Sequence, residues 1–274
     1  MRVHHLNCGT MCPWPASLVN GGAGGWLERG HLVCHCLLVE SADGLILVDT
    51  GFGTADVTDH ARLPTGFVLV TAPQRRHEET ALAQIRALGF QPADVRHILT
   101  THLDLDHAGG LPDFPDAQVH VFADEHAAAM QRSSPLEQRR YLPMQWAHQP
   151  KWQLHRLDGE RWFGFDSVRA IGGSDDEVLL VPLTGHTRGH CGIAVRTGDG
   201  WILHAGDAYF AHDEVHAQPS RCPVGLEAFQ RIMAMDGRAR LANRDRLNAL
   251  AHTHGGQVRI ISAHDPRELA SANA

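Results

Sequence analysis

His102-Leu-Asp-Leu-Asp-His107 places two imidazoles and two carboxylates within six residues. Such nitrogen and oxygen donors suit borderline or hard divalent cations, and a cluster this dense can serve two ions. The apolar run Val95–Thr101 before it reads as a buried strand, and Ala108-Gly-Gly110 after it reads as the exit from a tight turn. A calcium loop of the EF-hand kind does not fit. With Asp104 in its first position, the fifth is Ala108 and the twelfth is Pro115, where a bidentate Glu is required.

Three further candidate ligands stand where apolar runs end: His186 in Leu183-Thr-Gly-His-Thr-Arg-Gly-His190, Asp207 after Trp201-Ile-Leu-His-Ala-Gly206, and His264 after Val258-Arg-Ile-Ile-Ser-Ala263. A strand end meeting a loop is where a rigid scaffold usually presents its chemistry. The runs themselves set the elements. His31–Glu40 and Leu45–Asp49 form an expected hairpin around Ala42-Asp-Gly44, and Asp49-Thr-Gly51 ends its second strand in a turn. Ala81, Leu82, Ile85 and Leu88 have helical spacing over Glu78–Leu88, with Gly89 as the cap. Strands are expected at Gln118–Phe122, Glu177–Leu183, Gly192–Arg196, Trp201–Ala205 and Gln257–Ser262. Helices are expected at Asp124–Gln131, Leu226–Met235 and Arg238–His252. Strands then helices, twice over, imply two sheets packed face to face with helices outside.

In order and type, Asp49-Thr-Gly51, the 102–107 cluster, Gly185-His186, Gly206-Asp207 and His264 resemble the metallo-β-lactamase superfamily over nearly the whole chain. The resemblance implies one α/β domain over residues 1–274, an αββα four-layer sandwich of two mixed sheets flanked by helices. It also implies two divalent metal ions, with zinc the first expectation. His102, Asp104 and His186 would hold one ion, and Asp106, His107 and His264 the other, with Asp207 as the bridge. Asp49 would orient a ligand imidazole, and His190, one step from His186, would support the ligands rather than join them.

One position departs from the family pattern, which has His where this chain has Asp104. A third carboxylate beside two cations and a hydroxide would bring the site to neutrality. That would weaken its pull on a carbonyl and favour harder ions such as Mn or Fe over Zn. The implied reaction is hydrolysis of a lactone or carboxylic ester by hydroxide held between the cations, with Asp106 relaying the proton. Acyl-homoserine-lactone hydrolases of the superfamily place a Tyr three residues after the bridging Asp. Here Tyr209 comes two residues after and Phe210 three, so Tyr209 is either an oxyanion donor or a packing residue.

Composition narrows the alternatives. A net charge of −7 without a basic stripe argues against nucleic acid, and no run approaches the ~18 apolar residues of a spanning helix. Lys151 is the only lysine, which leaves Schiff-base and Walker-type chemistry without candidates. The six cysteines form no zinc-ribbon pattern, and Cys34 and Cys36 share one strand face as core residues. Without a secretory signal pattern, a reducing cytoplasm is the expected location. A small-molecule lactone or ester is the expected partner, with no membrane association, and a homodimer is compatible with the chain. Rival readings are a di-iron oxidoreductase, whose superfamily members also carry a carboxylate at the second cluster position, and a glyoxalase II-like thioester hydrolase. The stretch 132–165 holds Tyr141, Met144, Trp146, Trp152, Trp162, Phe163 and Phe165, and reads either as a substrate lid or as a connection pinned to the core. His212 and His216 read as a solvated face, and His204 as a core histidine.

Overall fold

Leu32–Ser41 is buried along nearly its whole length, as a strand must be when both sheet faces are covered. Its alternate residues go opposite ways. Cys34, Cys36 and Leu38 join an outer cluster with Leu47, Ile85, Leu103 and Leu111, while Leu37 and Val39 join an inner one with Leu180, Ile193 and Ile261. A third cluster packs Val181, Leu203 and Ile260 against Leu247 and Leu250 of the helix Gly237–His254. Three apolar seams therefore separate four layers. The computed structural model describes residues 1–172 and 177–274.

The first sheet has the order β1 (Arg2–Met11), β2 (Leu32–Ser41), β3 (Gly44–Val48), β4 (Val95–Leu99), β5 (Gln118–Phe122), β6 (Lys151–His155). Strands β1, β2 and β3 are antiparallel neighbours, and β3 to β6 run parallel. The second sheet has the order β12 (Val258–Ile261), β11 (Gly200–His204), β10 (Cys191–Thr197), β9 (Glu177–Pro182), β8 (Phe165–Gly172), β7 (Glu160–Trp162), with only β11 and β12 parallel. Both sheets are mixed and flanked by helices, so the architecture is the expected αββα sandwich. No helix among the described residues is long and apolar enough to cross a membrane.

The expected elements fall within a few residues of their observed bounds. The helix expected at Glu78–Leu88 is divided at Thr80, whose side chain accepts from Ala83 N and so caps Ala81–Ala87. Four strands escape the sequence pattern. In β1 alternation is blurred by His4, His5 and Asn7, and β6 is an exposed edge. β7 and the start of β8 lie in or beside 132–165. That stretch is not a free lid: it contributes a helix (Pro135–Arg140), β6 and β7, and Tyr141, Trp146, Trp162 and Phe165 are buried in the clusters. The aromatics there are core residues of the sandwich, with Met144 left half exposed.

His97, His120 and His155 form a ladder across β4, β5 and β6, on the face that carries Leu99 and Phe122. His97 Nδ1 meets His120 Nε2 at 2.9 Å, and His120 Nδ1 meets His155 Nε2 at 2.9 Å. Burial, then the neighbouring His155 and His97, push the His120 imidazole down to about 3. Burial also lowers His97 and His155. His120 is therefore neutral when folded but takes up a proton near pH 6.5 when unfolded, so its contribution to stability is present above that pH and is lost as pH falls below it. Urea denaturation from pH 7.5 to 5.5 should show a loss on the order of 1 kcal/mol from His120 alone. His120→Leu should flatten that part of the curve, and an unchanged slope would reject the assignment.

Candidate metal centre

Every candidate ligand lies beyond the end of a strand or in a loop at one rim of the sandwich. β4 leads to the 102–107 turn, β9 to His186, β11 to Asp207 and β12 to His264. Main-chain bonds tie the two sheets together beside it: His35 N donates to Ala263 O at 2.8 Å, and Cys191 N to Thr101 O at 2.9 Å. Two glycines allow the loops to close this tightly. Gly206 has φ +54°, and a Cβ there would come within 2.6 Å of His190 Nε2. A Cβ on Gly189 would lie 2.2 Å from Glu125 N, a backbone atom that cannot yield.

Asp207 sorts the donors into two groups. Its Oδ2 lies 3.4 Å from His186 Nε2 and 3.9 Å from His102 Nε2, and Asp104 Oδ2 is 3.1 Å from the same His186 nitrogen. Its Oδ1 lies 3.2 Å from His107 Nε2 and 3.1 Å from His264 Nε2, with Asp106 Oδ2 3.9 Å from His264. All seven sequence candidates converge. All but Asp106, which is half-buried, are buried. His190 stands behind them: Nδ1 donates to Leu183 O at 2.9 Å, leaving Nε2 to accept from Asp207 N at 2.9 Å.

The outer partners fix which ring nitrogen faces inward. Asp49 is buried with a left-handed φ of 54° and accepts from Thr101 N and Thr101 Oγ1, each at 2.7 Å, and from His107 Nδ1 at 2.8 Å. Thr101 spends its hydrogen on Asp49, so its oxygen accepts from His102 Nδ1 at 3.0 Å. His264 Nδ1 donates to Val33 O at 2.7 Å. In the neutral tautomers these bonds select, Nε2 of His102, His107 and His264 carries a lone pair directed into the cluster. His102 Nε2, His107 Nε2 and Asp207 Oδ1 are buried with no hydrogen-bond partner. Orphaned donors and acceptors converging in this way fit a pair of divalent cations.

Charge in the cluster is divided to match. Burial raises the Asp207 carboxyl, but His264, His107 and His186 overcome it and hold it well below the usual carboxylate range. Burial lowers His107, yet Asp207 and Asp49 drive it well above 6.5, and His264 is raised against burial by Asp207. His186, by contrast, is brought down by burial to about 4. A cation held here would compete with protons for His107 and His264.

Sequence reasoning missed several neighbours. Glu125 is buried and accepts from Leu103 N, Tyr141 OH, Thr187 Oγ1 and Gly189 N, joining the 102–107 turn to the 184–190 loop. Arg140 reaches Asp104 Oδ1 at 3.3 Å. Cys34, a core residue as expected, also meets Asp106 and His264 within 4.8 Å. His204 is buried as expected, with Nε2 on His35 O. His212 and His216 are not merely solvated. Their rings stack and both approach the buried Glu268.

Tyr209 requires a correction. Its hydroxyl donates to Glu268 at 3.0 Å, and the ring packs in the third cluster with Leu203 and Leu247, so it does not join the candidate ligands. The next residue, Phe210, turns the other way and lies 4.7 Å from the His264 ring and 6.2 Å from that of His186. A one-residue offset in the exit from β11 decides which aromatic faces the cluster.

Sandwich, convergent donors and inward-facing imidazoles define a metal-dependent hydrolase. The metallo-beta-lactamase superfamily model matches residues 29–252, and the chain belongs to that superfamily. It is 41% identical over 266 residues to a probable metallo-hydrolase of Mycobacterium tuberculosis, covering 97% of this chain and 81% of that protein. An N-acyl homoserine lactonase of Azorhizobium caulinodans is 28% identical over 282 residues, 97% of this chain and 94% of its own. In fold it is similar to an N-acyl homoserine lactone hydrolase solved with N-hexanoyl-L-homoserine at its catalytic metal centre. That structure aligns with a TM-score of 0.72 at 21% identity over 98% of this chain and 95% of its own.

Two substitutions separate the roles of the neighbours. Asp49→Ala should lower metal affinity about 10–100-fold, read by competition with a chelator, because His107 loses its orienting acceptor and Thr101, which orients His102, loses its own. Tyr209→Phe should cost about 1–2 kcal/mol of stability and leave kcat within about twofold. A large kcat loss there would restore Tyr209 to the reaction.

Proposed function

We propose that the protein opens a lactone or carboxylic ester of a small acyl substrate at a dinuclear centre. The observation that carries this reading is the division of Asp207, one oxygen toward each trio of donors. His102, Asp104, His186 and Asp207 Oδ2 would hold one ion, and Asp106, His107, His264 and Asp207 Oδ1 the other. Bound there, two divalent cations supply Lewis acidity and bring the pKa of water toward neutrality. Zinc suits the imidazole-rich set, and the extra oxygen of Asp104 widens the choice toward Mn or Fe.

The chain's own residues do the remaining work. Asp106 is the most accessible carboxylate of the cluster and would accept a proton from the attacking water and return it to the leaving alkoxide. His190 fixes the main chain of Asp207, so the carboxylate keeps its division between the two positions. Phe210, backed at 5.7 Å by Phe229 of the helix Val224–Met233, gives the cluster an apolar wall suited to an acyl chain and excludes water from it. The Azorhizobium relative, an N-acyl homoserine lactonase, supports the same substrate class.

The test is metal content measured beside turnover. Chelation should abolish hydrolysis of acyl-homoserine lactones and aryl esters, and two equivalents of Zn, Mn, Fe or Co should restore it. Asp207→Asn should lower kcat at least ~10³-fold, since one group serves both positions. Inactivity of the fully loaded protein across lactones and esters would reject the reading.

A further inference from the structure

Arg140 ends the helix Pro135–Arg140, and its side chain is 1% exposed. Two hydrogen bonds and one ion pair engage the guanidinium. Nη1 donates to His186 O and Nη2 to Met233 O, each at 2.9 Å, while Nε stands 3.3 Å from Asp104 Oδ1. The other oxygen of that carboxylate, Oδ2, faces His186 Nε2 at 3.1 Å and His102 Nε2 at 3.5 Å. We propose that Arg140 and Asp104 act as one unit at the first cation position. Arg140 fixes which carboxylate oxygen faces the cation and offsets the negative charge that Asp104 brings. This rests on the dinuclear reading above.

Electrostatics requires such a partner. Among the described residues, Arg140 is the only arginine or lysine paired with a member of the cluster. With Asp104 alone, the carboxylates and one hydroxide would neutralise two divalent cations. Arg140 returns the site to one net positive charge, the value it would have with an imidazole at position 104. The neutral, weakly polarising site expected from the sequence is therefore corrected by a residue 36 positions further on. Burial raises the Asp104 carboxyl, and Arg140 is the largest influence lowering it, well below the usual carboxylate range.

The arginine is also held in place. Ser134 and Glu137 cap its helix reciprocally, and Glu137 accepts from Arg188 at 2.7 Å. Tyr141, the next residue, donates to Glu125, which itself accepts from Leu103 N in the cluster turn. With both Nη atoms committed to main-chain carbonyls, Arg140 is a positioning residue rather than a substrate ligand.

The test compares Asp104→His, Arg140→Met and the double variant. Placing His beside Arg140 leaves a buried guanidinium unpaired against a cation. Asp104→His should retain one metal equivalent after a chelating column where the wild type retains two, and its metal-free form should melt earlier. Adding Arg140→Met should restore the second equivalent and recover most of the melting temperature. A double variant no better than the sum of its parts, in both metal content and metal-free melting, overturns the proposal. Should Arg140→Met not fold, Arg140→Lys serves, since it keeps the charge. It should hold two equivalents with Asp104 and one with Asp104→His, and two in both would overturn the idea. None of these readouts needs a substrate. Failed turnover with intact coupling therefore counts against the hydrolase reading alone, and normal turnover with additive variants counts against Arg140 alone.

Discussion

Five carboxylates (Asp49, Asp104, Asp106, Asp207 and Glu125) are brought to one rim of the sandwich, and four of them are buried. Burying like charges together is among the most unfavourable things a fold can do, so each must be paid for locally. Asp49 has two donors from Thr101 and one from His107, and Glu125 has four donors from four residues. Asp104 has Arg140. Asp207 has imidazoles on both oxygens and His190 behind its main chain. What remains uncompensated is the inner surface of the cluster, where orphaned nitrogen and oxygen atoms converge, and this is the place that suits cations.

The two best-satisfied carboxylates are also the two that give the cluster its rigidity. Asp49 acts from the first sheet, setting His107 directly and His102 through Thr101. Glu125 bonds the turn of the first sheet to the loop that carries His186 in the second. Neither touches the space between the donors. Their contribution is to remove rotamer and tautomer freedom before any cation or substrate arrives, the structural form of preorganisation. Gly189 and Gly206 belong to the same device, since a side chain at either would hold the loops apart.

How much of this was legible in the sequence follows from range. The αββα order and the seven donors could be read because each strand marks itself by apolar content and each donor by its place at a strand end. β1, with its polar His4, His5 and Asn7, and β6, an exposed edge, lack that signal. Glu125 and Arg140 sit on helices whose sequence reads as ordinary surface, and only the fold turns those faces inward. A period-two argument cannot foresee the exit from β11, where a tight Gly206 turn with φ +54° sends Tyr209 outward and Phe210 inward. In sequence, the aromatics of 132–165 suit a lid or a core equally, because composition reports burial only once the partner surface is known.

The exchange of Tyr209 for Phe210 beside the cluster bears on how the site would handle developing charge. The chain has two tyrosines, and both hydroxyls are donated to buried carboxylates, Tyr141 to Glu125 and Tyr209 to Glu268. Burial and those same carboxylates raise both phenols well above their usual range, so neither is available as an acid. With Phe210 rather than a phenol beside the cluster, the proposed hydrolysis would draw its oxyanion stabilisation from positive charge at the centre itself. A site that relied on that charge would need compensation for a third carboxylate. On the proposed reading, the buried guanidinium behind Asp104 and the phenylalanine beside His264 would be two sides of one electrostatic solution, reached with residues far apart in the chain.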